Sequence, residues 1–458
     1  MEEETLKEPG IQPVIRAYRK RWIILIIYIS CICISTFQWI EYSIITNIVM
    51  KYYHVSATMV DWTSISFMII WPIFIFPASY IIDKMGLRVA AFIGIVTTAL
   101  GAGVKVLSVG EDLFYVVVLG QTIVSFSQTF LLNLPSKLTV AWFKFEEVST
   151  ACSLGIMGSI LGVAFSFYVP PILVKDSDNL DDIAADLRVM CWSVFLVSMP
   201  LVLIVYFYFP KEPVHPPSIA MFEERINKKH ITFSIFVKSI KILIKNKFFL
   251  LHLVAFGCNY GVYSVIGTLL NQIVLNYFPG TQEDVGKMGL IMIISGIGGS
   301  LITGYILDKT HKFKETSIII FLSCAISLGA IWYALTIRNK MLTYLAIAVF
   351  GFFLNAYLPA GMEFGTEIAY PSPESTIMGL VYATAMTMSV ILTIIFGKVL
   401  TSYGSSWCLF GMIAVSILGC GLTILTPNTL KRQEAYQKSI HANYTQILQG
   451  ENNIERKL

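Results

Sequence analysis

Long apolar runs, each broken by a short charged or turn-rich stretch, recur from one end of the chain to the other. Twelve of them have the length needed to cross a bilayer core, about 20 residues of helix. They fall at 22–48, 62–82, 89–109, 114–134, 151–174 and 192–209, then at 248–275, 288–307, 316–337, 343–363, 377–401 and 405–425. None carries the polar stripe that a water-facing helix needs. The pattern predicts an all-α membrane protein of twelve transmembrane helices, called here spans 1 to 12. The longest polar stretch, 210–247, holds Pro210, Pro213, Pro216 and Pro217 and then six lysines from Lys228 to Lys247. It divides the spans six and six. The expected layout is a cytoplasmic segment 1–21, a six-helix bundle 22–209, a cytoplasmic linker 210–247, a second bundle 248–425 and a polar, mobile cytoplasmic tail 426–458.

Composition agrees with the pattern. Of 458 residues, 55% are hydrophobic and only 14% charged, against about 25% charged in an ordinary soluble domain. The distribution of charge says more than the net +4. Arg16, Arg19, Lys20 and Arg21 precede span 1, and Lys84, Arg88, Lys137, Lys144, Lys309, Lys312 and Lys314 fill the even loops. The loop at 175–188 is acidic instead. Basic loops mark the cytoplasmic side, so both termini are expected inside, with the plasma membrane as the expected location. The eight cysteines show no metal spacing and read as inert buried thiols.

The two halves echo each other. Asp83 and Lys84, followed by Arg88, come after span 2; Asp308 and Lys309 come after span 8. An acid followed by bases at this loop is the hinge pattern of the major facilitator superfamily, and Asp83, Arg88, Asp308 and Lys309 are expected to form a conformational latch. Leu132-Asn133-Leu134-Pro135 in span 4 matches Leu354-Asn355 and Leu358-Pro359 in span 10. Such echoes predict two six-helix bundles related by an axis along the membrane normal. Gly158 and Gly162 in span 5, and Gly296, Gly298, Gly299 and Gly304 in span 8, suit close helix approach. Spans 5 and 8 are expected to meet across the halves.

Candidate chemistry is sparse. No protease, P-loop, hydrolase or kinase motif is present, so no enzyme, cofactor or metal site is expected. Ionisable residues inside spans are costly and are functional candidates by default. Glu41 reads either as an outer-end carboxylate that meets water or a base, or as a cation-attracting group at a cavity mouth. Lys105 is expected to snorkel outward. Glu363 and Glu367 are expected to pair with loop cations. The uncharged candidates for a binding site are Gln38 and Trp39 in span 1, Gln121 and Gln128 in span 4, and Tyr260 and Tyr263 in span 7. Aromatic faces in a dry pocket attract ammonium groups.

A resemblance then narrows the reading. Gln38-Trp39-Ile40-Glu41-Tyr42-Ser43, Gly120-Gln121, Gln128-Thr129-Phe130, Leu134-Pro135-Ser136, Glu147-Val148-Ser149-Thr150-Ala151-Cys152, Val169-Pro170-Pro171 and Thr268-Leu269-Leu270-Asn271-Gln272 stand in order along the chain. They resemble the feline leukaemia virus subgroup C receptor-related (FLVCR) family of major facilitator transporters, over roughly residues 25–430. The resemblance implies a carrier of choline or ethanolamine, with haem as the alternative cargo; the lack of a chain of buried acids and histidines favours a facilitative carrier (a uniporter), and a monomer is expected. A non-transporting receptor on the same scaffold is the weaker alternative. It also implies that Trp39 faces the cation and that Gln128 lines the cavity. The family's span-7 tyrosine falls on Ser264, one position after Tyr263, and its span-11 glutamine falls on Met386.

Overall fold

The computed structural model describes residues 18–144, 147–210, 212–213, 215–217, 240–372, 374–428 and 431–433. The expected linker 210–247 and tail 426–458 lie for the most part outside them. All secondary structure among the described residues is helical, and twelve helices are long and apolar enough to cross a membrane. Their outward faces carry bare apolar side chains such as Ile26, Phe207, Leu301 and Ile326. A water-facing surface would cover these with charge; a lipid-facing one has no need to.

Most spans are single helices: span 2 is Ala57–Met85, span 3 Leu87–Val106, span 5 Val148–Leu173, span 6 Leu180–Tyr208 and span 7 Lys247–Leu275. Span 8 is Gln282–Thr310, span 9 Phe313–Thr336, span 10 Lys340–Ala369, span 11 Glu374–Tyr403 and span 12 Ser405–Leu425. Two are broken. Span 1, expected as one run over 22–48, is a helix Lys20–Phe37, then a non-helical stretch, a 3-10 turn Ser43–Ile45 and a short helix Thr46–Tyr53. Span 4 runs Phe114–Leu131, yields at Leu132 and Asn133, and resumes over Leu134–Trp142 with Pro135 in its first turn, where a missing N–H costs nothing.

Packing repeats between the halves. Span 1 lies on span 5, 2 on 4, 3 on 4 and 3 on 6; correspondingly 7 lies on 11, 8 on 10, 9 on 10 and 9 on 12. The halves meet where span 5 touches span 8 and, by the same symmetry, where span 11 touches span 2. The local echo is equally literal. Asn133 donates its side-chain amide to the Thr129 carbonyl at 2.6 Å, and Asn355 donates to the Gly351 carbonyl at 3.2 Å, each one turn back.

The glycines do bring helices close, with different partners from those expected. Gly158 and Gly162 seat span 5 on Ile29, Cys33 and Thr36 of span 1, and Gly296 and Gly299 seat span 8 on Phe352 and Asn355 of span 10. Gly298 and Gly304 face open space. The seam between spans 5 and 8 instead uses Gly286 and Gly289, which receive Phe167 and Pro171. A methyl at Gly299 would run into the Phe352 backbone, and one at Gly298 would touch nothing. Gly299→Ala should therefore cost about 1–3 kcal/mol through overpacking. Gly298→Ala in the same turn should be neutral or stabilising by roughly 0.5–1 kcal/mol. Thermal unfolding of the two purified variants checks the pair, and equal melting points would contradict the packing.

Candidate functional site

The site grows from the break in span 1. Helical bonding lapses after Phe37, and the residues Gln38 to Tyr42 follow as turns. No glycine or proline lies in this stretch, so the break is held open from outside. Unpaired backbone groups are not tolerated in hydrocarbon, and three other helices supply partners. Gln121 on span 4 donates to the Gln38 carbonyl at 2.9 Å, and Ser64 on span 2 donates to the Trp39 carbonyl at 3.1 Å. Asn271 on span 7 donates to the Ile44 carbonyl at 2.7 Å. Within the break itself Ser43 shares a hydroxyl bond with Ser64 at 2.6 Å.

Freed from the helix, Trp39 meets Tyr263 of span 7 with ring centroids 6.0 Å apart and planes tilted by 37°. The aromatic surface continues from Tyr263 to Tyr260 at 5.7 Å, from Tyr260 to Tyr382 of span 11 at 6.4 Å, and from Tyr382 to Trp71 of span 2 at 5.8 Å. Four spans, two from each half, thus contribute to one wall. The indole N–H groups of Trp39 and Trp71 and the amide nitrogen of Gln128 are buried without a partner. Buried donors are rarely left unpaired, and donors beside aromatic faces suit a guest with one polar end.

Ser264 does not replace the family tyrosine. Its hydroxyl is buried, within hydrogen-bond distance of the Tyr260 carbonyl at 3.1 Å and of the Ser389 hydroxyl of span 11 at 2.9 Å. Tyr263 is the residue that reaches Trp39. Met386 is half-buried, and the aromatic from its helix is Tyr382, about one turn earlier.

The other candidates near the break, Glu41, Gln38 and Gln121, each have at least one polar partner, although Gln38 Oε1 is buried without one. Glu41 forms an ion pair with Lys105 of span 3, and each side chain is only 2% exposed. Lys105 therefore does not snorkel; its ammonium also reaches Gln121 Oε1 at 3.4 Å and lies 5.7 Å from the centre of the Tyr42 ring. Gln38 donates to the Ile34 carbonyl at 3.2 Å. Gln38, Gln121 and Glu41 thus sit behind the aromatic wall as a buried polar network. Of the hinge residues, Arg88 donates to the Tyr206 carbonyl near the end of span 6 at 2.7 Å, and Lys309 lies 4.4 Å from the centre of the Tyr305 ring. Asp308 is exposed, and the Asp83 side chain lies outside the described residues. Glu363 and Glu367 pair with Arg432, so their cation comes from the tail and not from a loop. Residues 431–433 are helical and clasped to span 10, contrary to the expectation of a tail mobile from residue 426.

Sequence reading also missed the closure on the face opposite the chain ends. Asp61, only 2% exposed, accepts from Gln272 of span 7 at 2.8 Å. Asn271 reaches Asn47 at 3.2 Å, and Gln282 reaches Asp176 at 3.3 Å. The hydrogen bonds described between the halves all lie here. Asp61 stands one residue outside the apolar window 62–82; the helix starts at Ala57 and buries it.

The fold and this central site, built from both halves, define a carrier of small molecules, and residues 27–384 match the Major Facilitator Superfamily. The choline/ethanolamine transporter flvcr2a of Danio rerio is 36% identical over 424 residues, 93% of this chain and 90% of its own. The choline/ethanolamine transporter FLVCR2 of Homo sapiens is 32% identical over 433 residues, 93% and 81% of the two chains. The chain belongs to the FLVCR family of major facilitator transporters and is an integral, multi-pass membrane protein. Two solved structures share its fold at low identity. A bacterial homologue of the human lysosomal transporter Spinster gives a TM-score of 0.69 at 10% identity, over 90% of this chain and 98% of its own. A D-xylose-proton symporter gives 0.69 at 12%, over 90% and 99%.

Removing one partner of a buried ion pair strands the other charge and costs roughly 3–5 kcal/mol. Lys105→Met should therefore lower the melting point of the purified protein sharply. Lys51→Met, which breaks an exposed pair with Asp176 and Asp178, should leave it nearly unchanged. Equal, small effects would show that Lys105 is not buried.

Proposed function

We propose that this chain carries choline, ethanolamine or a closely similar small organic cation by facilitated alternating access. The observation that supports this best is the Trp39–Tyr263 pair, which joins the two halves at the helix break and extends into the Tyr260, Tyr382 and Trp71 rings. A desolvated ammonium over such faces gains on the order of 2 kcal/mol. Gln128, with its unpaired amide nitrogen, takes the hydroxyl end. The names of the relatives point to the same cargo.

In this reading the halves 22–209 and 248–425 rock about the aromatic wall. The bonds of Asp61 with Gln272 and of Asn271 with Ile44 and Asn47 form one gate. The hinge residues Asp83, Arg88, Asp308 and Lys309 act at the opposite face, Arg88 by tying span 3 to the end of span 6. The protein works as a monomer, catalyses no reaction, and sits in the plasma membrane with both termini cytoplasmic, as the basic loops favour. Haem is the weaker cargo. A haem iron needs an axial ligand, and the one histidine buried within a described span, His252, is bonded to the Gly361 carbonyl at 2.8 Å.

Purified protein in vesicles, offered labelled choline, ethanolamine and haem, tests the reading. Choline uptake should persist when pH and sodium gradients are collapsed. Trp39→Ala should weaken choline transport about thirtyfold, the equivalent of that 2 kcal/mol, while Tyr263→Phe retains most of it. The neutral choline isostere 3,3-dimethylbutanol should compete poorly. Equal competition by the isostere, or haem uptake without amine uptake, would defeat the proposal.

A further inference from the structure

The Glu41–Lys105 pair is unexplained by cargo contact, since both groups satisfy each other behind the wall. We infer that Glu41, Lys105 and Gln121 are positioning residues for Trp39: they anchor the non-helical stretch of span 1 to spans 3 and 4 and so set where the indole meets its cargo. The inference rests on the reading of Trp39 as the cation-facing wall, and goes beyond it by assigning what holds that wall.

A helix fixes its side chains through its own ladder of backbone bonds, and the residues Gln38 to Tyr42 keep only scattered bonds of that ladder. Their orientation must come from neighbours. On one side of Trp39, Gln121 holds the Gln38 carbonyl; at Trp39 itself, Ser64 holds the carbonyl; two residues on, Lys105 holds the Glu41 side chain. Lys105 also contacts Gln121, so the anchors on the two sides of the indole are tied to each other.

The lysine has a slot made for it. A Cβ at Gly120 would stand 2.5 Å from Lys105 Cγ and 2.9 Å from the Gly101 carbonyl oxygen. Only a residue without a side chain at 120 lets the lysine stem pass between spans 3 and 4. Buried ion pairs add little net stability compared with apolar residues of similar volume, and their best-attested use is to fix one arrangement among several. That is the role the geometry gives this one.

The test labels the eight tryptophans with 5-fluorotryptophan and follows the Trp39 fluorine resonance, assigned by Trp39→Phe, in the full-length protein. The variant is Glu41→Leu with Lys105→Met, which removes both charges together and strands neither. It should fold, shift or broaden the Trp39 resonance while leaving that of Trp71 in place, and raise the KM for choline roughly tenfold with maximal rate within twofold. Gly120→Ala leaves every charge in place and presses on the lysine stem and on the Gly101 carbonyl beside it. It should move the same resonance, and decides the matter if the double variant does not accumulate. An unmoved Trp39 resonance in the variant that folds, whether KM is unchanged or only the maximal rate falls, overturns the inference. If the parent protein carries no choline, the cargo reading fails, and the fluorine resonance still judges the positioning.

Discussion

A bilayer core offers no water to a backbone that leaves its helix, and the central region of this protein is organised around that single constraint. Span 1 opens between Phe37 and Ser43 without glycine or proline. The carbonyls of Gln38, Trp39 and Ile44 are taken up by side chains of spans 4, 2 and 7. Those contacts do two things at once. They satisfy groups that would otherwise cost several kcal/mol each in hydrocarbon, and they join span 1 to helices of both halves. The aromatic wall and the buried ion pair attach to this one non-helical stretch, and the Asn271 bonds of the far closure fall on the residues just after it.

The two halves are built alike and used differently. Their helices pack in the same pairs, and the asparagines of spans 4 and 10 make the same backward bond. Yet span 7, the counterpart of span 1, is an unbroken helix of 29 residues. The asymmetry follows from chemistry. Span 1 carries Gln38, Glu41, Ser43, Thr46 and Asn47 within ten residues, enough polar groups to bond outside a helix, and its neighbours carry the matching donors. Span 7 keeps its ladder and presents Tyr260 and Tyr263 from a rigid support. A wall held by its neighbours thus faces one held by its own helix.

The fold was legible in the sequence because hydrophobic length is a long-range average that survives local error. The helix break was not, because polar residues inside an apolar run read equally as a helix face or as a loop; only the donors at Ser64, Gln121 and Asn271, distant in sequence, decide between them. Lys105 was misread for a related reason. Near a helix end a lysine reaches water unless a carboxylate waits inside, and Glu41 belongs to another span. Trp39 and Tyr263 stand out in the sequence through aromatic chemistry, whereas Trp71 and Tyr382, whose rings continue the same surface, read as ordinary apolar residues. Asp61 was lost to a boundary error of a few residues, which left a buried carboxylate outside its span. The clasp of Arg432 on Glu363 and Glu367 was hidden by the polar composition of the tail around it.

The pairing of Glu41 with Lys105 has an electrical consequence. Because the two charges cancel, the region behind the aromatic wall carries no net charge of its own through the membrane field. In a carrier built this way the pair itself would move no net charge, so the displacement of a singly charged cargo would not be offset by it. At 100 mV that displacement is worth about 2.3 kcal/mol, equivalent to roughly fiftyfold accumulation on the negative side. A resting cell could then concentrate such a cargo with no co-transported ion, drawing on membrane voltage alone.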